Sequence, residues 1–119
     1  MRTYAVDFEG RLPIDGYAPG GFRVGGRVHR GPLALVPEGI VAWRGPPDFG
    51  PLVERAAGFD VLLVGTGAII AHPEGFTTAR ALLEAVGAGV EFMSTPSACR
   101  TYNVLLGEGR RVAAALIPV

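Results

Sequence analysis

The sequence predicts an α/β fold in one domain over residues 1–119, and three observations lead to it. Residues 16–43 are dense in Gly and Pro and contain only short apolar runs, which is typical of short antiparallel strands joined by tight turns. Residues 61–117 alternate branched apolar runs with segments of helical period, which is typical of strands joined by helices. The chain has 119 residues, 49% of them hydrophobic, which is enough for one domain with a buried core.

Short strands are predicted in the first half at residues 22–24, 33–36 and 40–43. The last two flank Pro37, Glu38 and Gly39, and Gly readily takes a left-handed backbone conformation. We therefore expect a β-hairpin with a three-residue loop at this point.

Alternating elements are predicted after the hairpin. Asp48 is a suitable N-cap for a short helix that ends near Gly58, and a continuous branched run at residues 61–64 predicts a strand buried on both faces. A second helix is expected over residues 75–86, because apolar residues recur there at helical spacing. Its predicted buried stripe consists of Phe76, Ala79, Leu83 and Val86, and its stop signals are Gly87 and Gly89.

A further strand, helix and strand complete the prediction. After a strand at residues 90–93, Thr95 is a suitable N-cap and Pro96 stands at the first helical position, where its missing N–H costs nothing. The helix is expected to reach about Gly107, and residues 112–117 predict a last, Ala-rich buried strand. The apolar stripe of this helix is predicted to be Ala98, Tyr102, Leu105 and Leu106.

Charge and targeting features exclude several classes of function. Eleven basic residues balance eleven acidic ones, so the chain lacks the long-range field that draws proteins to nucleic acid or anionic membranes. The single cysteine cannot close a disulfide within the chain, and residues 1–11 lack the apolar core of a secretory signal. The longest uncharged apolar stretch, residues 61–71, is far shorter than the roughly 20 residues that a spanning helix needs. We expect a cytoplasmic protein with no nucleic-acid partner and no integral membrane segment.

Polar residues and glycines concentrate where two predicted strands end. Because ligands of open α/β sheets bind beyond the carboxyl ends of parallel strands, the segments that follow residues 61–64 and 90–93 would share one rim if both strands run parallel. The candidate ligand-binding residues on this rim and on the helix behind it are Gly65, Thr66, Gly67, Ser94, Thr95, Ser97, Cys99, Arg100 and Asn103.

The chemistry of this rim suits a small anion. The first turn of the third helix carries a partial positive charge, and Arg100 adds a full one that can grip a carboxylate or phosphate. Structural interpretations stand beside this one. Arg100 could pair with Glu91 or Glu108 at the surface, and Asn103 could tie the turn at residues 65–67 to the helix. The sequence leaves both interpretations open.

Catalytic and metal-binding signals are weak. Cys99 is the candidate nucleophile, because a thiolate near a helix N-terminus and an Arg has a lowered pKa. Burial is the favoured interpretation, since free cysteine is among the most often buried residues and no His is near it in sequence. His29 and His72 belong to no metal-binding pattern, and residues 65–67 form no nucleotide-binding loop. We expect no catalytic residue, no metal and no cofactor.

Three segments, taken in order, resemble a known family. They are the stretch at residues 37–43, VLLVGTG at residues 61–67, and FMSTPSACRTYNVLLGEGRRVAAALIP at residues 92–118. Together they are similar to a family of small domains of uncharacterised function that includes mitochondrial complex I assembly factor 3 and the adipogenesis-associated small-domain protein. The resemblance covers most of the chain and implies a single three-layer domain with a central mixed β-sheet.

The resemblance also bears on function. It supplies no catalytic residue, and Ser94 stands where relatives often carry Asp, which removes a carboxylate that a catalytic scheme would use. The sequence lacks the transit peptide of the mitochondrial relatives, and some bacterial relatives are encoded near membrane-protein translocation components. The resemblance therefore implies a prokaryotic cytosolic member with a role in membrane-complex biogenesis.

Several functional hypotheses follow. The first is a non-catalytic accessory or assembly protein that binds a protein partner through an exposed apolar patch around Trp43, Phe22 or Tyr17. The alternative is a small-molecule, anion-binding protein or enzyme that uses the polar rim. A thiol redox sensor would require Cys99 to be exposed. Glycine-rich edge strands in the first half also allow a homo-oligomer.

Overall fold

The computed structural model describes residues 11–119, which form two β-sheets and three α-helices. The strands of the first half are β1 (Ile14–Ala18), β2 (Gly21–Val24), β3 (Arg27–Arg30), β4 (Leu33–Val36) and β5 (Gly39–Val41). The second half consists of α1 (Gly50–Val53), a 3₁₀ turn (Ala56–Gly58), β6 (Val61–Thr66), α2 (Phe76–Ala85), β7 (Gly89–Met93), α3 (Thr95–Gly107) and β8 (Val112–Ile117). The predicted α/β organisation is confirmed. The expectation about a secretory signal concerns residues 1–11, and residues 1–10 lie outside the described part of the chain.

A five-stranded mixed sheet lies at the centre, in the strand order β5-β4-β8-β6-β7. β6 runs parallel to both β7 and β8, as expected for strands joined by helices, while β4 is antiparallel to β8 and to β5. The last strand of the chain therefore joins the two halves of the sequence in one sheet. β1, β2 and β3 form a separate antiparallel sheet in that order.

Apolar residues cover both faces of the central sheet. α1 and α2 pack on one face through residues such as Leu52 and Leu83. α3 and the small sheet pack on the other face through residues such as Phe22 and Tyr102. The central strands β6 and β8 supply both cores, because alternate residues of a strand point to opposite faces. The expected three-layer architecture with a central mixed sheet is confirmed. No helix within residues 11–119 has the length and hydropathy to cross a membrane.

The predicted hairpin of β4 and β5 is present, but its loop is shorter than expected. Gly39 pairs with Val36, so the loop consists of Pro37 and Glu38 alone. The prediction of a three-residue loop was wrong because Gly39 continues the ladder, with a φ of 142°. β5 also ends at Val41, two residues before the predicted end of the strand.

α2 has the predicted extent but a narrower buried stripe. Val86 is 62% exposed, so its predicted burial was wrong. Gly87, with a φ of 91°, ends the helix, and the N–H of Ala88 bonds to the carbonyl oxygen of Leu83 at 3.1 Å. Gly89 is not a stop signal, because it begins β7.

The N-termini of α1 and α3 differ from the capping predictions. The carboxylate of Asp48 accepts a hydrogen bond from the Gly50 N–H at 2.9 Å, but α1 is only four residues long. The N-cap of α3 is Ser94, whose hydroxyl accepts the Ser97 N–H at 3.4 Å. Thr95 is therefore the first helical residue rather than the cap, because its hydroxyl is engaged elsewhere.

Candidate functional site

The two segments chosen from the sequence do share one rim. β6 and β7 are neighbouring parallel strands, so the residues that follow them leave the sheet at the same edge. The N–H of Thr95 bonds to the carbonyl oxygen of Gly67 at 2.7 Å, which joins the two segments directly. Whether this rim binds a ligand depends on which of its polar groups face solvent.

Thr95 is fully buried and connects three elements at the rim. Its hydroxyl donates to the carbonyl oxygen of Ile117 at 2.6 Å and accepts the N–H of Gly67 at 2.8 Å. The start of α3 is thereby tied to the ends of β6 and β8. The single donor of this hydroxyl and one of its acceptor positions are therefore used inside the fold.

Gly65 allows α3 to approach β6 this closely. A Cβ atom at position 65 would lie 2.9 Å from the Thr95 Oγ1 atom and 2.9 Å from the Leu116 Cδ2 atom. Such distances are shorter than real Cβ contacts, so any larger residue would push the helix or the neighbouring strand away. The need for close packing between α3 and β6 therefore explains why residue 65 is a glycine.

Thr66 shapes the loop that follows β6. Its hydroxyl lies 2.7 Å from the Ile69 carbonyl oxygen, to which it donates, and it accepts the Ala71 N–H at 3.0 Å. The loop is thus held on both sides of Ile70. Ile69 and Ile70 are 75% and 65% exposed, the two highest values among the large exposed hydrophobic residues of the described chain.

Asn103 binds the backbone of β1. Its side-chain oxygen accepts the Ile14 N–H at 2.8 Å, and its side-chain nitrogen donates to the Ile14 carbonyl oxygen at 2.8 Å. The interpretation in which Asn103 ties down the turn at residues 65–67 was therefore wrong. The amide acts instead as a clamp that holds the small sheet against α3.

Cys99 lies in the core that α3 and the small sheet form against one face of the central sheet. The residue is 5% exposed, and burial raises the pKa of its thiol to about 11, although the nearby Arg100 acts in the opposite direction. A thiol with so high a pKa is protonated at neutral pH. The redox-sensor hypothesis, which requires an exposed thiol, was wrong.

Arg100 is the exposed charged group of the candidate site. Its guanidinium donates to the Ser97 hydroxyl at 3.3 Å, and the hydroxyls of Ser94 and Ser97 lie 3.2 Å apart. Within residues 11–119, Arg100 forms no ion pair with Glu91 or Glu108, so the predicted surface pairing was wrong. The described chain has four cavities of about 200 to 430 Å³, and none of them is lined by a candidate residue of the rim or of α3. The ligand-binding role of the rim stays a prediction.

Of the three residues predicted for an exposed apolar patch, the structure exposes one. Trp43 and Phe22 are buried, and the Trp43 indole N–H donates to the Asp48 carbonyl oxygen. Tyr17 is partly exposed. Sequence reasoning did not select Ile69 and Ile70, although two adjacent isoleucines in a segment bounded by Gly and Pro are an available signal.

A family model described as a protein of unknown function (DUF498/DUF598) matches residues 14–117. The chain belongs to this family. The resemblance drawn from the sequence motifs is confirmed, because relatives of this chain include proteins named as complex I assembly factor 3.

Two relatives illustrate the range of this DUF498/DUF598 family. An uncharacterised protein of Rhodobacter capsulatus is 53% identical over 113 residues, which cover 94% of this chain and 89% of that protein. A Danio rerio protein named NADH dehydrogenase (ubiquinone) 1 alpha subcomplex assembly factor 3 is 37% identical over 114 residues, which cover 88% of this chain. The match spans 63% of the length of the Danio rerio protein, so that relative is considerably longer.

A solved structure has the same fold. The crystal structure described as an outer membrane protein from Bartonella henselae is 39% identical, with a TM-score of 0.79. The match covers 95% of this chain and 99% of that one. The DUF498/DUF598 fold described above therefore extends over nearly the whole of both chains.

Proposed function

We propose that this protein is a non-catalytic assembly or accessory protein that binds a protein partner during the biogenesis of a membrane complex. One observation carries the proposal: the loop after β6 presents Ile69 and Ile70 to solvent beside a rim whose buried polar groups are satisfied within the fold. The names of the longer eukaryotic relatives as complex I assembly factors support the assembly role.

The loop has the properties of a preformed contact surface. Complete burial of an exposed isoleucine in an interface is worth on the order of 1.5–3 kcal/mol per side chain. Because the Thr66 hydroxyl already fixes the backbone on both sides of Ile70, little conformational entropy is lost when a partner binds. Two adjacent apolar side chains on an ordered loop therefore favour partner binding over a solvated surface loop.

A cytoplasmic location belongs to the same proposal. The single Cys99 cannot form a disulfide within the chain, and it is buried as a thiol in the core. Both properties suit a reducing compartment.

Anion binding at the rim is the second candidate function, and the exposed Arg100 beside the Ser97 hydroxyl favours it. With Thr95 and Asn103 engaged in backbone hydrogen bonds, such a site would depend on Arg100, Ser97 and the first turn of α3. Stabilisation by millimolar phosphate that disappears in Arg100→Ala would support it. An unchanged melting temperature would remove it.

The proposed function is tested by capturing partners from cells that express the tagged protein. Wild type is compared with Ile69→Ser/Ile70→Ser after mild chemical crosslinking and quantitative mass spectrometry. The matched control is Leu82→Ser/Val86→Ser, which likewise replaces two exposed apolar side chains by Ser, one on α2 and one directly after it. We expect a discrete partner whose recovery falls at least tenfold in the loop variant and persists in the control. Equal recovery with wild type and the loop variant would contradict the proposal, as would the absence of any enriched protein.

A further inference from the structure

The outer strand of the small sheet is an exposed edge. β3 pairs with β2 on one side and has no strand on its other side within the described part of the chain. Arg27, Val28 and Arg30 are exposed, and Val28 is 59% exposed although it is a large apolar residue in a regular strand. An exposed edge strand offers a row of backbone hydrogen-bonding groups to another extended segment.

This edge is positively charged. Residues 14–30 contain three arginines and one aspartate. Arg27 and Arg30 have no acidic partner among residues 11–119, and Arg23 on the neighbouring strand donates to the Gly26 carbonyl oxygen at 3.4 Å. Since the protein as a whole has no net charge, the excess of guanidinium groups is a local property of this sheet.

A trough lies across the outer face of the small sheet, next to the charged edge. It encloses about 400 Å³. Cross-strand pairing places Gly16 beside Arg23 and Val28 in one row, and Ala18 beside Gly21 and Arg30 in the next. The small residues Gly16, Ala18 and Gly21 therefore leave a depression in the sheet surface. On the side toward β3, its rim carries the Val28 side chain and the Arg30 guanidinium group.

We propose that the outer edge of β3 binds an extended acidic segment of a partner protein, which adds to the small sheet as a fourth strand and places an apolar side chain against Val28 and the trough. Backbone pairing provides the register, and carboxylates on the added strand meet Arg27 and Arg30. This inference rests on the proposed function, because it supplies the chemical class of the partner.

The simplest competing occupant is a second copy of the same strand, which carries the same positive charge as the edge it would meet. Two copies of β3 paired about a two-fold axis would bring Arg27 and Arg30 of both copies to one seam. Like charges brought together at an interface repel each other, which disfavours this occupant. The same arginines attract a strand that carries Glu or Asp.

The test uses a defined peptide and the whole protein. The probe is an acetylated ten-residue peptide with Glu residues three positions apart, so that its carboxylates lie on both faces of the added strand as Arg27 and Arg30 do on β3. Its other positions are Val with one central Phe, and its twin has Lys in place of every Glu. Binding is followed by backbone amide chemical shifts at low salt. We expect saturable shifts in β3 and around the trough, and binding at least tenfold weaker for the Lys twin and at 0.5 M salt.

Two double variants test the charge contribution. Arg27→Glu/Arg30→Glu should lower the affinity for the acidic peptide at least tenfold and reverse the preference toward the Lys twin. The matched control is Arg55→Glu/Arg80→Glu, which makes the same charge change at two exposed arginines. Arg55 lies just after α1 and Arg80 lies on α2, on the other side of the central sheet from β3. This control should bind the acidic peptide nearly as wild type does. Circular dichroism confirms that both variants are folded.

The inference is overturned if the acidic peptide does not bind at millimolar concentration, if the shifts lie elsewhere, or if both peptides bind equally. Tighter binding of a single-stranded oligonucleotide at the same edge would overturn the choice of a protein partner.

The loop variant Ile69→Ser/Ile70→Ser should bind the peptide as wild type does. If partner capture in cells depends on the loop but the peptide fails, this inference alone is wrong. If the peptide binds but no partner is captured, the proposed function fails instead.

Discussion

At the scale of single residues, the polar side chains behind the rim serve as internal hydrogen-bond partners. Asn103 satisfies both backbone groups of Ile14, and Thr95 satisfies backbone groups of Gly67 and Ile117. Cys99 fills space in the core. A polar side chain already engaged with the backbone, or a thiol buried in the core, has little capacity left for a ligand, so these residues contribute to stability.

Asn103→Ala should detach β1 from α3. The substitution removes two hydrogen bonds and leaves the backbone groups of Ile14 to find other partners, so we expect a loss of about 2–3 kcal/mol in the free energy of unfolding. Urea denaturation measures this loss, and faster hydrogen exchange at the Ile14 amide locates it. Val104→Ala, at the exposed neighbouring position, should change stability by less than about 0.5 kcal/mol. Equal effects of the two substitutions would contradict the clamp.

Stability should fall as the pH rises from about 9 to about 11, because burial raises the pKa of the Cys99 thiol from its ordinary value of 9.0 to about 11. In this interval the unfolded chain loses the thiol proton while the folded protein keeps it, so ionisation favours the unfolded state. Urea denaturation from pH 8 to 11 should show a decline that is smaller in Cys99→Ala. Tyr102, whose pKa burial raises to about 12, is present in both proteins and cancels in the comparison. A pH dependence unaffected by the substitution would contradict thiol burial.

At the scale of elements, the start of α3 is the point where β6, β8 and the helix are joined. Gly65 lets the helix approach, and the Thr95 hydroxyl bridges the two strand ends. The same edge projects the loop with Ile69 and Ile70. A structural junction therefore carries the loop that we assign to partner binding.

Thr95→Val should weaken this junction without changing its shape. The valine side chain fills nearly the same volume but leaves the Gly67 N–H and the Ile117 carbonyl oxygen without their partner, so we expect a loss of about 2–4 kcal/mol. Thr78→Val, at an exposed position on α2, makes the same chemical change as a control and should be nearly neutral. Chemical denaturation compares the two. If the Thr95 variant is as stable as the control, the junction does not depend on the hydroxyl.

The elements differed in how well the sequence predicted them. The strand at Val61–Thr66 and the helix at Phe76–Ala85 were recognisable, because apolar runs and helical spacing reflect local burial. β1 and β3 were missed as strands, since β3 reads Arg-Val-His-Arg and faces solvent over most of its length. Either Ser94 or Thr95 can cap a helix, and tertiary bonds of Thr95 decided between them.

At the scale of the whole molecule, the candidate site was only partly predictable. The meeting of the two strand ends follows from parallel pairing, and parallel pairing follows from alternating strands and helices. The partner of Asn103 lies 89 residues away in the sequence, where no local pattern indicates it. The edge of β3 and the Ile69 loop depend on which side chains remain uncovered, which is a property of the complete fold.

Site-specific photocrosslinking in living cells tests the partner-binding role most directly. A benzophenone amino acid replaces Ile69 in one strain and Arg100 in another, because these positions represent the apolar loop and the polar rim. We predict that position 69 forms an adduct with one discrete protein and that position 100 does not. No protein adduct at position 69, or an adduct at position 100 alone, would contradict the assignment of the loop as the contact surface.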